Sequence, residues 1–210
     1  MSQNTSTAVM ARRDEPKDSL DLFPTPCWAT RALCEHVLAE FRDLLPRMIV
    51  WEPACGFGHM ARPLGEYVPR VHASDVYDHG FGAPVHDFLQ PYLPDFVDDR
   101  VDMVVTNPPF RLAAEFVTRG LEVAPLVCML VRTAFLEGVG RYNSLFEPCP
   151  PLIVAPFVER VPMVKGRVDQ RASTATSYTW IVWRRTGVRH TLLRWIPPCR
   201  KALERTGDYD

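Results

Sequence analysis

Met48-Ile49-Val50-Trp51-Glu52-Pro53-Ala54-Cys55-Gly56-Phe57-Gly58 sets a pattern that the rest of the chain repeats. Its apolar opening predicts a short buried strand, and the glycines after it predict a tight turn. A helix is expected next, as far as Tyr67. Outward from this unit the alternation continues. Arg70-Val71-His72-Ala73-Ser74 predicts a second strand that ends at Asp75. The segment from Tyr77 to Asp99, rich in proline, glycine and aspartate, is expected to be mostly irregular. Val101 to Thr106 predicts a strand, Leu112 to Ala124 a helix, and Leu126 to Val131 a fully buried strand. Strands alternating with helices predict an α/β fold with a doubly wound, mostly parallel sheet.

Upstream, Thr25-Pro26 has the form of an N-cap followed by proline at the first helical position. Apolar residues recur at helical spacing from Leu33 to Leu45, so a helix is expected from Pro26 to about Leu45, ending before Pro46. Downstream, prolines punctuate short apolar runs, and Tyr178-Thr179-Trp180-Ile181-Val182-Trp183 predicts a strong strand. Two late strands are expected to form an antiparallel hairpin at the C-terminal edge of the sheet. Residues 157–177 are expected to be a small basic insertion, with a long loop from Arg160 to Ser177. Residues 1–18 are expected to be a flexible polar tail, and 19–210 one domain.

The composition supports a packed domain, since 47% of the 210 residues are hydrophobic and 23% charged. No apolar stretch approaches a membrane span, and the polar start lacks the hydrophobic core of a signal peptide. Six cysteines are scattered without a Cys-x-x-Cys pair, and six histidines show no metal spacing. Reduced thiols in a cytoplasm, and no metal, are the expectation. A net charge of −1 hides an asymmetry: residues 1–110 carry 9 basic and 16 acidic side chains, residues 111–210 carry 15 and 9. The basic half is nearly all arginine, whose planar fork suits phosphate.

Asn107-Pro108-Pro109-Phe110 comes directly after a strand. Two prolines in succession force a stiff extended elbow. Such an elbow can present an amide side chain and backbone carbonyls to the N–H groups of a planar amine, with a ring for stacking. In an open α/β sheet, ligands sit at the carboxyl ends of strands. Gly56 and Gly58, Asp75, Asp87 with Phe88, and Asn107 all fall at or after such ends. Each suits an adenosine-type ligand. The glycines allow close approach, Asp75 can accept from ribose hydroxyls, Asp87 from an exocyclic amine, and Phe88 can lie against a purine. The ordinary alternatives are a tight turn, a cap and a core ring. Gly56-Phe57-Gly58-His59-Met60-Ala61 also fits the Gly-x-Gly-x-x-Ala dinucleotide fingerprint, with Asp75 near the expected acidic position. That fingerprint gives Asn107–Phe110 no role, and Glu52-Pro53 interrupts the usual passage from strand to turn.

Trp51 to Gly58 resembles the cofactor-binding first motif of class I S-adenosylmethionine-dependent methyltransferases, which implies a Rossmann-like fold and S-adenosyl-L-methionine as cofactor. Asn107-Pro108-Pro109-Phe110 resembles the catalytic motif of their amino-methylating branch. Phe23-Pro24-Thr25-Pro26 resembles the N-terminal motif by which DNA adenine-N6 methyltransferases contact the cofactor's amino-acid end. The strand from Trp180 to Arg184 is similar to a late strand of phage-type members. The resemblance spans about Asp21 to Arg185. It implies Phe23, Pro24, Thr25, Glu52, Pro53, Ala54, Cys55, Gly56, Gly58, Asp75, Asp87, Phe88 and Asn107 as cofactor-binding residues. Asn107, Pro108, Pro109 and Phe110 are the expected catalytic group. The expected substrate is a flipped adenine of DNA, with Phe110 stacking on the base and Arg132, Arg141, Arg160, Lys165, Arg167 and Arg171 on the phosphates. Little chain is left for a large target-recognition domain, so tight sequence specificity is not expected. RNA guanine N2, a protein glutamine, and a catalytically idle nucleic-acid-binding module stand as alternatives.

Overall fold

The computed structural model describes residues 21–97 and 100–209. The expected tail at 1–18 lies outside them. The chain forms one seven-stranded sheet: β1 (Ile49–Glu52), β2 (Arg70–Ala73), β3 (Met103–Thr106), β4 (Leu126–Arg132), β5 (Ile153–Pro156), β6 (Tyr178–Arg184) and β7 (Leu192–Leu193). Their order across the sheet is β2-β1-β3-β4-β6-β5-β7. The first four strands are parallel, β6 runs antiparallel to both β4 and β5, and β7 is parallel to β5. The α/β, mostly parallel character expected from the sequence is present. The late antiparallel pair is present as well, but β6 sits inside the sheet between β4 and β5, and β7 forms the edge. The two exposed leucines of β7 gave no strand signal of their own.

Successive strand residues face opposite sides, so the apolar runs feed two cores. Val50, Met103, Val105, Cys128, Leu130, Trp180 and Val182 point to one. Trp51, Val104, Val127, Met129, Ile181 and Trp183 point to the other. Helix α1 (Cys27–Ala32) covers the first, and Trp180 Nε1 donates to its Ala29 carbonyl at 3.0 Å. Of the later helices, α2 (Ala61–Leu64) comes after β1, and α3 (Ala113–Val123) covers the second core with Phe116 and Val117.

The expected helix from Pro26 to Leu45 is broken. Past Ala32 it widens into a π-turn over Leu33–Val37, closed by Leu38 N–H donating to the Leu33 carbonyl at 2.8 Å, and two isolated 3-10 turns come after it. The wider turn lets Leu33, Val37 and Leu38 all reach the core. Its extra residue per turn is invisible to a count of apolar spacing. Thr25 is not the N-cap either: Pro26 holds that position, with no side-chain cap. Helix α2 stops at Leu64 rather than Tyr67, ahead of Gly65, whose N–H bonds back to Ala61 and Arg62. The 157–177 segment is irregular as expected but not wholly solvated, since Val161 and Met163 are buried in the first core.

The chain runs from β1 to β2 on one side, then crosses to β3 on the other. That reversal opens a crevice at the carboxyl ends of β1 and β3. Glu52 ends one strand and Thr106 the other, so the glycine loop and the Asn107 elbow leave the sheet side by side.

Candidate active site

A cavity of about 240 Å³ occupies this crevice. Its lining includes Phe23, Pro24, Thr25, Glu52, Pro53, Ala54, Cys55, Gly56, Asp75, Asp87, Phe88, Asn107 and Pro109. Gly58, Pro108 and Phe110, also expected at the site, are not part of that lining. Asp21, Leu22, Met60, His79, His86, Leu112 and Phe116 join the wall, and the sequence singled out none of them. Asp21 and Leu22 adjoin the Phe23 motif in sequence, and that adjacency is the only signal that could have found them.

The glycine loop is built by backbone geometry. Gly58 N–H donates to the Cys55 carbonyl at 2.8 Å, and both glycines have left-handed φ, +51° at Gly56 and +79° at Gly58. A Cβ on Gly58 would lie 2.2 Å from the Phe81 ring, so only glycine fits without rearrangement. Asp75 Oδ2 accepts the Gly56 N–H at 2.8 Å, and Oδ1 accepts the Tyr77 N–H at 3.2 Å with His79 Nε2 at 3.6 Å. The carboxylate thus ties the loop to the end of β2. Asp87 closes an Asx turn on the Leu89 N–H at 3.0 Å and is otherwise exposed. Phe88 is wedged between Trp51 and Phe116, each 5.0 Å away, which leaves little of its ring for a ligand.

Glu52 is buried, and its Oε2 has no hydrogen-bond partner. Burial first, then repulsion from Asp75, hold its carboxyl well above the usual carboxylate range, against a smaller pull from the Ala61 N–H. The Cys55 thiol is pushed up to about 12 by burial and by Glu52 and Asp75.

The elbow is fixed from the N-terminal side. Asn107 Nδ2 donates to the Phe23 carbonyl at 2.9 Å and to Thr25 Oγ1 at 3.2 Å, with Met163 Sδ at 3.7 Å. A reversed amide would set Oδ1 against the Phe23 carbonyl, acceptor against acceptor, so these partners define the orientation. Asn107 Oδ1 is left buried without a partner. Asp21 Oδ2 accepts the Phe110 N–H at 2.9 Å, and the Pro109 carbonyl accepts the Leu112 N–H. The Phe110 ring carries the Arg132 guanidinium, whose Cζ lies 3.7 Å from the centroid, and Phe23 leans on it at 5.4 Å.

The six basic residues expected on phosphates do not gather. Arg132 stacks on Phe110. Arg141 lies over Phe135 at 4.4 Å and donates to the Phe135 and Glu137 carbonyls. Arg160 donates to Ser177, and Arg167 pairs with Asp169 at 3.3 Å. Lys165 and Arg171 are exposed on the same loop, which is tied to the cavity wall by Gly166 N–H donating to the Leu22 carbonyl.

The wall holds the carboxyl groups of Asp21, Glu52, Asp75 and Asp87, and none of the described lining residues is Lys or Arg. Such a wall suits a ligand that is cationic and rich in N–H and O–H donors. It does not suit a pyrophosphate, whose charges the carboxyl groups would repel. The donor set and the two partnerless oxygens therefore fit S-adenosylmethionine rather than a dinucleotide.

No family model and no curated protein matches the chain. Solved structures do. A protein of Pyrococcus horikoshii provisionally assigned as an RNA methyltransferase aligns with TM-score 0.59 and 15% identity over 83% of this chain and 91% of its own. The type I restriction-modification methyltransferase subunit of Streptococcus thermophilus gives 0.59 and 12% over 90% of this chain and 50% of its own. The type I restriction enzyme EcoKI M protein gives 0.57 and 14% over 86% and 49%. The chain spans about half the length of these two restriction-modification proteins. The fold is that of the class I S-adenosylmethionine-dependent methyltransferases.

Proposed function

We propose that this protein transfers a methyl group from S-adenosylmethionine to the exocyclic N6 amine of adenine in DNA. The observation that carries the proposal is Asn107, with its amide nitrogen locked by Phe23 and Thr25 and its oxygen left without a donor. An exocyclic amine supplies the missing donor. Asn107 Oδ1 and the Pro108 carbonyl accept its two N–H groups, favour a pyramidal nitrogen and direct its lone pair. Positioning of this kind contributes much of the rate in such transfers. The cofactor, when bound, supplies a methyl made electrophilic by its positive sulfur. Glu52, Asp75 and Asp87 hold it from the acidic wall, and Gly56 and Gly58 allow it close to the backbone. The likeness to two restriction-modification methyltransferases supports DNA as substrate, and a base must leave the duplex to reach the cavity.

Incubation with methyl-labelled cofactor and DNA, RNA or protein, followed by mass spectrometry of digested products, tests the proposal. Label in N6-methyldeoxyadenosine is expected, and Asn107→Ala should abolish it while cofactor binding by calorimetry persists. Label in N2-methylguanosine or methylglutamine would reassign the substrate, and label in none would overturn the enzyme reading.

A further inference from the structure

The reactive corner is shut in this structure. Asn107 Oδ1, the acceptor that the proposed reaction needs, is buried from solvent. The ring meant for stacking is already stacked, since Arg132 Cζ lies 3.7 Å from the Phe110 centroid. A guanidinium and a nucleobase use an aromatic face in the same way, as flat groups at van der Waals distance. Both cannot occupy one face.

Among the described residues, Arg132 is held through its side chain by the stack on Phe110 and by no salt bridge, while its backbone is fixed in the sheet. It ends β4 in register with Tyr178 of β6, so the sheet fixes its Cα while the side chain reaches across to Phe110. Its Nε is buried without a hydrogen-bond partner, and a buried donor left unmet weakens the stacked state. Arg141 makes the contrast. It also lies over a ring, Phe135, but its Nη1 donates to two backbone carbonyls, which makes it a staple of its loop. Among these two ring-stacked arginines, Arg132 is the one with little to lose by leaving.

Resting on the proposed role of the Asn107 corner, we propose that Arg132 is a removable plug. Its guanidinium holds the face of Phe110 until a nucleobase takes that face, and the freed guanidinium then meets a phosphate of the same strand. The exchange makes Arg132 a specificity-determining residue. A substrate with both base and phosphate replaces one Arg132 contact with another. A free nucleoside must displace the guanidinium and offers it no anion.

Ring-current shifts report the plug directly, because an N–H held over a ring face resonates upfield. The Arg132 Nε–H signal is assigned by its loss in Arg132→Lys. The wild-type protein is then titrated with a short single strand of deoxyadenosines and with an abasic strand of the same length. The adenine strand is expected to return the signal to the ordinary arginine region, and the abasic strand to bind without doing so. A signal still shifted with the adenine strand bound, equal release by the abasic strand, or no binding of either strand overturns the plug. In a second measurement, Arg132→Leu is expected to lower the preference for the strand over free deoxyadenosine, in kcat/KM, at least tenfold. An unchanged preference also overturns it. Absence of methyl transfer to any adenine refutes the proposed function while the resonance titration still decides the plug.

Discussion

Thr25→Val separates two roles for the residue that begins the Thr25-Pro26 pair. As a cofactor contact, Thr25 would change cofactor affinity when altered. As the partner of Asn107, it would change the reaction. The structure gives the second geometry: Thr25 is 3% exposed, and its Oγ1 accepts from Asn107 Nδ2 at 3.2 Å. Valine keeps the branched shape and removes only the acceptor. Asn107 retains the Phe23 carbonyl at 2.9 Å, so its amide stays in the same orientation but is held by one bond rather than two. A neutral hydrogen bond contributes about 0.5–1.5 kcal/mol. If that difference falls on the transition state, kcat drops roughly 2- to 13-fold. The same loss lowers the melting temperature by roughly 1–6 °C for a domain of this size. Steady-state methyl transfer to DNA measures the first quantity, and calorimetry with the cofactor serves as the control, expected to stay within about twofold. Weaker cofactor binding with an unchanged kcat would refute the positioning argument.

Gly58→Ala places a Cβ in the Phe81 ring at a φ of +79°, whereas Gly80→Ala at φ +80° meets open space. Thermal unfolding should show a distinctly larger loss at position 58, and equal losses would mean that Phe81 yields freely. Glu52→Gln should alter the pH dependence of stability. Burial, with Asp75, raises the folded carboxyl, so the folded chain keeps a proton that the unfolded chain releases. Wild-type stability is therefore whole below the unfolded value of about 4.3 and falls as pH rises toward the folded one. Denaturation of the two proteins across pH should show the variant gaining on wild type as pH rises, and a gap that does not change with pH would refute the buried acid.

The order of the site along the chain was legible because the sheet does the assembling. Each strand announced itself by an apolar run, and the residues just after each run land on one rim. The contributions of Asp75 and Asn107 to that rim needed only the strand ends, whereas Glu52 came from the family resemblance. The partners of those residues were not legible. Asp75 has its oxygens turned onto the glycine loop, and Thr25 reaches a residue far along the chain, contacts that no local spacing encodes. The partners of the arginines were not legible for the same reason. A guanidinium reads as a free cation in sequence, yet Arg132, Arg141, Arg160 and Arg167 are each engaged by a nearby ring, carbonyl, hydroxyl or carboxylate. The helix at 26–45 failed because a π-turn preserves an apolar face while changing its period.

The charge asymmetry of the chain acquires a physical use at this site. The acidic half supplies Asp21, Asp75 and Asp87 to the cavity wall, and none of the described lining residues is Lys or Arg to offset them. A phosphate brought to that wall would meet repulsion in a partly desolvated crevice, where charges are poorly screened. Under the proposed function, a nucleic acid would offer the cavity only an uncharged part of itself, the base. Its backbone must stay outside, against chain drawn from the basic half, where Lys165 and Arg171 are exposed on the loop tied to Leu22. Under the proposed function, a duplex would meet that separation by releasing the base from its stack.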